Sequence, residues 1–231
     1  MTVLADQAWP ALATSRPILI VPLGATEQHG PHLPMSTDTD IATTLSLRAG
    51  EALDDVVVAP ALPYGSSGEH QAFAGTLSIG QPAVELLLVE LVRSAMATFR
   101  RVVFVSAHGG NEQPVARAVR RMRAEGHDVR AWSPAQVWRG DAHAGRVETS
   151  VMLALDAGRV RRADTVPGDT RPLREVIDVL RAEGVGAVSA NGILGDPTGA
   201  SASEGKTLLQ SAAAALVAAV REWPEADGAW L

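Results

Sequence analysis

Four short aliphatic runs punctuate the first 135 residues: "PILIVPLG" at 17–24, "DVVVAPAL" at 55–62, "RVVFVSAHGGN" at 101–111 and the weaker "HDVRAWSPA" at 127–135. Each reads as a buried strand leaving into a loop, because a strand covered on both faces needs a near-continuous apolar run. Between them lie segments with helical periodicity at 39–53, at "PAVELLLVELVRSAMATF" (82–99) and at "QPVARAVRRMRAEG" (113–126), each ending near a glycine or a charged turn. Strands alternating with helices of this length predict an α/β fold, a three-layer α/β/α sandwich with a largely parallel central sheet. In such a fold the active groups gather beyond the carboxyl ends of the strands.

The second half is less regular. Helices are expected around 147–157 and 171–183, and an alanine-rich one from about 203 to 222, which reads as a core or subunit contact rather than a catalytic element. Between them, 184–203 is rich in Gly, Ser and Pro. A long loop in a compact domain is usually functional or mobile. No repeat or linker divides the chain, so residues 1–231 are expected to form a single domain. Its 46% apolar content is enough to bury a core.

Charge and composition then narrow the chemistry. A formal net charge of -6 argues against a nucleic-acid or membrane surface as the main partner, since either would favour a basic face. With no cysteine, neither a disulfide nor a thiolate is available, and any metal must sit on imidazole and carboxylate. The start of the chain, "MTVLADQAWPALATSRP", lacks the basic then apolar pattern of a secretory signal, and no apolar run approaches a membrane span. A cytoplasmic protein is expected.

The candidate chemistry lies in the loops. In "LGATEQHGPHLPMSTDTD" (23–40), Glu27, His29, His32, Asp38 and Asp40 fall within a few residues of three prolines, Pro22, Pro31 and Pro34, and two glycines. Glu27 and His29 are two apart, so in an extended segment both point to one side. Pro31 and Pro34 stiffen the turn and let Asp38 return toward the same point. This density of ligand-type side chains directly after a buried strand favours a metal site over an ordinary turn.

Three further clusters are weaker when taken alone. "VFVSAHGGN" puts His108 where the chain leaves the sheet, which suits catalysis and equally suits a buried histidine at a helix start. "RGDAHAGRVETS" offers Asp141, His143 and Glu148, which a capped helix with a solvated Glu148 would also explain. "YGSSGEHQAFAGT" supplies Glu69 and His70, in a substrate loop or a plain surface turn.

Taken together, "GATEQHGPHLP", "GEHQAFAGT", "HGGN" and "HAGRVETS", in this order, resemble the creatininase (creatinine amidohydrolase) family. The segments "YGSSGEH", "DAHAGRVETSVML" and "GVGAVSANGILGDPTGASASEG" resemble its branch from mycofactocin biosynthesis, whose members act as peptidases on a modified peptide. The resemblance implies a creatininase-like fold and two divalent ions, zinc, iron(II) or manganese. Glu27 and His108 would hold one ion, His29 the other, Asp38 would bridge them, and Glu148 would complete the shell of the second ion. It implies His143 as the general acid and base, with Glu148 also at the reaction. Glu69, His70, Asn111 and Asp141 are expected to meet the substrate, and His32 to orient a ligand.

In creatininase itself a glutamate lies two residues after the strand-end histidine. Here that place is Gly110, which moves the ligand to Glu148 and counts against creatinine as substrate. The expected partners are a precursor peptide, cut to release its C-terminal cross-linked Val-Tyr-derived dipeptide, and further copies of the chain in a homo-oligomer. The alternatives are a hydrolase of small cyclic amides or formamides, or a metal-binding scaffold without turnover.

Overall fold

The computed structural model describes residues 2–223 and 229–230. Among the described residues, five strands form one sheet: β1 (Thr2–Val3), β2 (Ile18–Leu23), β3 (Val56–Val58), β4 (Arg101–Ser106) and β5 (Val129–Trp132). Their order is β1-β3-β2-β4-β5, and among the described residues every strand pair in the sheet is parallel.

The pleat explains the aliphatic runs. Ile18 and Ile20 of β2, with Val103 and Val105 of β4, face a layer made by α1 (Thr37–Ala52), α4 (Arg146–Asp156) and α7 (Ala202–Glu222). Leu19, Val21 and Leu23, with Val102 and Phe104, face α2 (Gly80–Ala95) and α3 (Glu112–Ala124). Both faces are dry, so neither set of alternate positions can be polar. Each fully buried side chain of this size contributes roughly 1.5–3 kcal/mol. Two helices remain, α5 (Leu173–Glu183) and α6 (Val185–Val188), which close over a small apolar cluster of Val176, Leu180, Val185 and Leu194.

The structure differs from the sequence reading in four places, and two of the differences have local causes. The run at 55–62 is a strand only over Val56–Val58, because Pro60 and Pro63 bring no N–H to a ladder. Leu62 still pairs with the central strand, donating to the Pro22 carbonyl and accepting from the Gly24 N–H. The run at 127–135 ends at Trp132, where the Ser133 hydroxyl accepts from the Ala135 N–H and opens a 3-10 turn. The loop-like 184–203 segment contains α6, and β1 adds a strand at the sheet edge where none was expected.

The alanine-rich helix is a core element. Ser201 Oγ accepts from the Glu204 N–H at its start, and Leu209, Ala212, Leu216 and Val220 are buried. Its small side chains let it lie close to α4: a Cβ on Gly205 would stand 1.8 Å from the Ser150 carbonyl oxygen. Alanine for glycine inside a helix normally gains about 1 kcal/mol, but overpacking against fixed backbone costs about 1–3 kcal/mol. Gly205→Ala is therefore expected to be destabilising, with the Tm falling roughly 2–4 °C per kcal/mol lost at this chain length, read by thermal unfolding.

Candidate metal centre

The sheet reverses its order at β2: the chain crosses from β2 to β3 on one side, then to β4 on the other. Loops leaving β2 and β4 diverge above their carboxyl ends, where open α/β sheets form their crevices. Glu27 and His29 come from the first loop and His108 from the second. Gly24 holds the first loop against α1, since a Cβ there would lie 2.4 Å from the Thr39 Cα. That contact delivers Asp38, in the first turn of α1, to the same point. A third segment, the turn entering α4, contributes His143 and, one turn later, Glu148.

The side chains converge from these separate pieces. His108 Nδ1 lies 3.3 Å from Glu27 Oε1 and 3.3 Å from Asp38 Oδ2. On the other side, His29 Nε2 lies 3.1 Å from Asp38 Oδ1 and 4.0 Å from Glu148 Oε2. Asp38 thus turns one oxygen to each imidazole. Two sets of donor atoms result, Glu27 with Asp38 and His108, and His29 with Asp38 and Glu148, and within each set the atoms lie within 4.8 Å of one another. A third set of the same compactness joins Glu27, His29 and His143.

Each imidazole is aimed by its other nitrogen. His108 Nε2–H donates to the Ser66 carbonyl at 2.8 Å, His29 Nδ1–H to the Glu27 carbonyl at 3.1 Å, and His143 Nε2–H to the Gln28 carbonyl at 2.8 Å. In the neutral ring so held, the nitrogen facing the centre keeps its lone pair, the arrangement in which histidine binds a metal.

Electrostatics favour ionised carboxylates despite the dry surroundings. Burial would raise the Glu27 pKa, but His108 beside it wins and holds it down to about 2. Burial likewise opposes Asp38 ionising, and His29 and His108 together keep it well below the usual carboxylate range. Burial disfavours a charged His29, yet Asp38 raises it to about 10, and Glu27 and Asp38 raise His108 in the same way. His143 goes in the opposite direction: burial first, then His29 and His70, push it well below its ordinary value, so its ring is neutral. Burial lifts Glu148 to about 7.

The residues fit divalent cations on an independent count. Neither oxygen of Glu27 has a hydrogen-bond partner, nor has Asp38 Oδ2, and all three are buried. A buried carboxylate oxygen without a donor costs several kcal/mol unless a cation faces it. Carboxylate and imidazole donors suit zinc, iron(II) and manganese alike.

The remaining expected residues divide. His70 belongs to the cluster, with Nε2 at 3.4 Å from Glu27 Oε1, and Glu69 lines the adjoining cleft. That cleft has a volume of about 890 Å³, with Leu173, Ile177 and Leu180 of α5 on its far wall.

Asn111 is not turned toward the cleft. Its Oδ1 accepts from the Ser66 N–H and its Nδ2 donates to the Gly24 carbonyl, both at 3.0 Å, so it ties two loops together. Asp141 accepts from the Arg146 N–H at the start of α4 and does not line the cleft; its side chain caps a helix. His32 Nε2 bonds Thr149 Oγ1 at 2.8 Å, one residue from Glu148, and touches no expected ligand by hydrogen bond. Sequence reasoning passed over Gln28, whose side-chain amide lies among His70, His143 and the Gly192 carbonyl.

The family model for creatinine amidohydrolase matches residues 5–220, and the chain belongs to the creatininase family. A relative from Mycobacterium tuberculosis, a mycofactocin precursor peptide peptidase, is 47% identical over 227 residues, covering 94% of this chain and 90% of that protein. Among solved structures, a zinc-zinc form of a mutant creatininase superimposes with a TM-score of 0.82 at 25% identity, covering 97% of this chain and 98% of its own. A manganese creatininase superimposes equally well, with 97% and 99% covered at the same identity.

Zinc or manganese is expected to stabilise the fold by mass action, about 2.7 kcal/mol at a free concentration a hundred times Kd. Asp38→Asn should abolish that gain. Thermal unfolding with and without metal, on native and variant protein, measures both.

Proposed function

We propose that this chain is a metal-dependent peptidase of mycofactocin biosynthesis, which cuts the modified precursor peptide to release its C-terminal cross-linked Val-Tyr-derived dipeptide. The observation that carries the reading is the set of buried carboxylate oxygens without hydrogen-bond partners, gathered with imidazole nitrogens into compact donor sets. The 47% identity to a mycofactocin precursor peptide peptidase supplies the substrate class.

In this reading Glu27, Asp38 and His108 would hold one ion, and His29, Asp38 and Glu148 the other. Two ions so held would polarise the scissile carbonyl and lower the pKa of bound water from 15.7 to about 7. The protein's own part is to place the peptide and manage protons. His143, neutral and with Nδ1 turned to the centre, takes a proton and returns it to the leaving nitrogen. Glu69 and His70 line the cleft where the peptide lies, and neither Asn111 nor Asp141 meets it.

Two features favour a peptide over a small ring. A cleft of about 890 Å³ lies toward the upper end of the roughly 300–1,000 Å³ range of drug-sized ligand sites. A Cβ at position 110 would stand 2.1 Å from the Ser66 carbonyl oxygen, so this backbone has no room for the glutamate of creatininase.

The test is incubation of the zinc-, iron(II)- or manganese-loaded protein with decarboxylated, cross-linked precursor, with product release followed by mass spectrometry. Release that stops on chelation supports the reading, and no cleavage with any of the three metals rejects it. His143→Ala should lower kcat by about 10²–10⁴-fold while metal content, measured by elemental analysis, stays as in the native protein.

A further inference from the structure

The histidines of the centre can each carry a neutral ring's proton on either nitrogen, and only one choice suits the roles above. Gln28 is the residue between Glu27 and His29 and is buried at 5% exposure. Its side-chain orientation is fixed by two backbone groups of opposite character. Oε1 accepts from the Gly30 N–H at 2.8 Å, which only a carbonyl oxygen can do, and Nε2 donates to the Gly192 carbonyl at 3.0 Å, which only the amino group can do.

With the amide so oriented, one hydrogen of Nε2 remains. The nearest acceptor is His70 Nδ1 at 2.8 Å, so that nitrogen carries the lone pair and the His70 proton sits on Nε2, which faces Glu27 Oε1. His143 Nε2 also lies 3.2 Å from the same amide nitrogen, but both of its hydrogens are then used. His143 Nε2 instead donates to the main-chain carbonyl of Gln28 at 2.8 Å. All hydrogens are accounted for, and the 3.2 Å approach of Gln28 Nε2 to His143 Nε2 is a contact between two donors, not a hydrogen bond.

We infer that Gln28 is a positioning residue that sets the tautomers of two histidines: its side-chain amide places the His70 proton on Nε2 toward Glu27, and its backbone carbonyl leaves His143 Nδ1 bare toward the centre. The residue acts through its neighbours and touches no reacting atom. Its frame extends to the 184–203 segment, because Gly192 has φ +80 and a Cβ there would lie 2.0 Å from Gln28 Oε1. Close backbone approach at Gly192 is what brings a carbonyl to the amide. The same segment clamps His143, whose N–H donates to the Leu194 carbonyl at 3.2 Å and whose carbonyl accepts from the Leu194 N–H at 2.9 Å.

The inference rests on the proposed hydrolase reading only for its catalytic meaning; the proton positions are measurable without substrate. Long-range proton–nitrogen NMR of the zinc-loaded protein should show His70 and His143 both protonated on Nε2. In Gln28→Glu the side chain can only accept, so His70 should switch to the Nδ1–H form while His143, held by the backbone, keeps Nε2–H. Gln28→Leu removes the donor without adding an acceptor and should leave the His143 signal in place while the hydrogen-bond shift at His70 Nδ1 is lost.

A native His70 protonated on Nδ1, or a His70 tautomer unmoved by Gln28→Glu, overturns the inference. The native measurement decides even where a variant fails to fold. Elemental analysis of the same sample keeps the two readings apart, since an absent metal refutes the hydrolase assignment and leaves the tautomers readable.

Discussion

Glu27 and Asp38 are both buried and both touch His108, so two anions share one dry point. Like charges about 4 Å apart repel by roughly 4 kcal/mol at an effective dielectric of 20. Asp38 and Glu148 sit in the first turns of α1 and α4, but a helix dipole offsets only about 0.3–1 kcal/mol at each end. Without metal the balance is met by protons on His29 and His108, which is why both are driven upward. Cations in the same place would neutralise the carboxylates and leave the imidazoles as neutral donors. The geometry of the loops makes sense as a device for assembling that charge balance.

A parallel sheet is well suited to the task. Its strands all end on one face, so loops far apart in sequence leave from neighbouring positions with strands buried beneath them. The centre draws on the loops after β2 and β4 and on the entrance to α4, and the loop after β3 braces it through the Ser66 carbonyl. Asn111, in the loop after β4, ties the loops after β2 and β3 together by taking one bond from Ser66 and giving one to Gly24. Rigidity here comes from buried side chain to backbone bonds, which cost about 1–3 kcal/mol when one partner is removed.

Much of the fold was readable because strands buried on both faces leave an unmistakable aliphatic run, and because helices between them keep their period. Strand ends were harder, since they depend on where Pro60 and Pro134 fall in three dimensions. For the site, ligand-type residues crowded after β2 were conspicuous, yet the reason Glu27 and His29 share a side was only partly right. Strict alternation would send Gln28 away from them, whereas the structure buries all three side chains. The partners of Asn111 lie 87 and 45 residues away and have no local signal. Asp141 had one, a carboxylate five residues before a helix N–H, which a helix-cap reading accommodates better than a substrate contact.

Glycine explains the most specific departure from the creatininase pattern. At Gly110 a side chain would meet the Ser66 carbonyl at 2.1 Å and His108 Nε2 at 2.5 Å. The missing Cβ therefore lets that carbonyl reach His108 and hold its proton away from the centre. A glutamate at 110 and the Ser66–His108 bond exclude each other in this backbone. Once the bond is present, a carboxylate near His29 must come from another element, and Glu148 on α4 is where the structure has one. Gly192 repeats the logic one step removed: its close approach brings a carbonyl to the Gln28 amide, and that amide in turn decides which nitrogen of His70 is free.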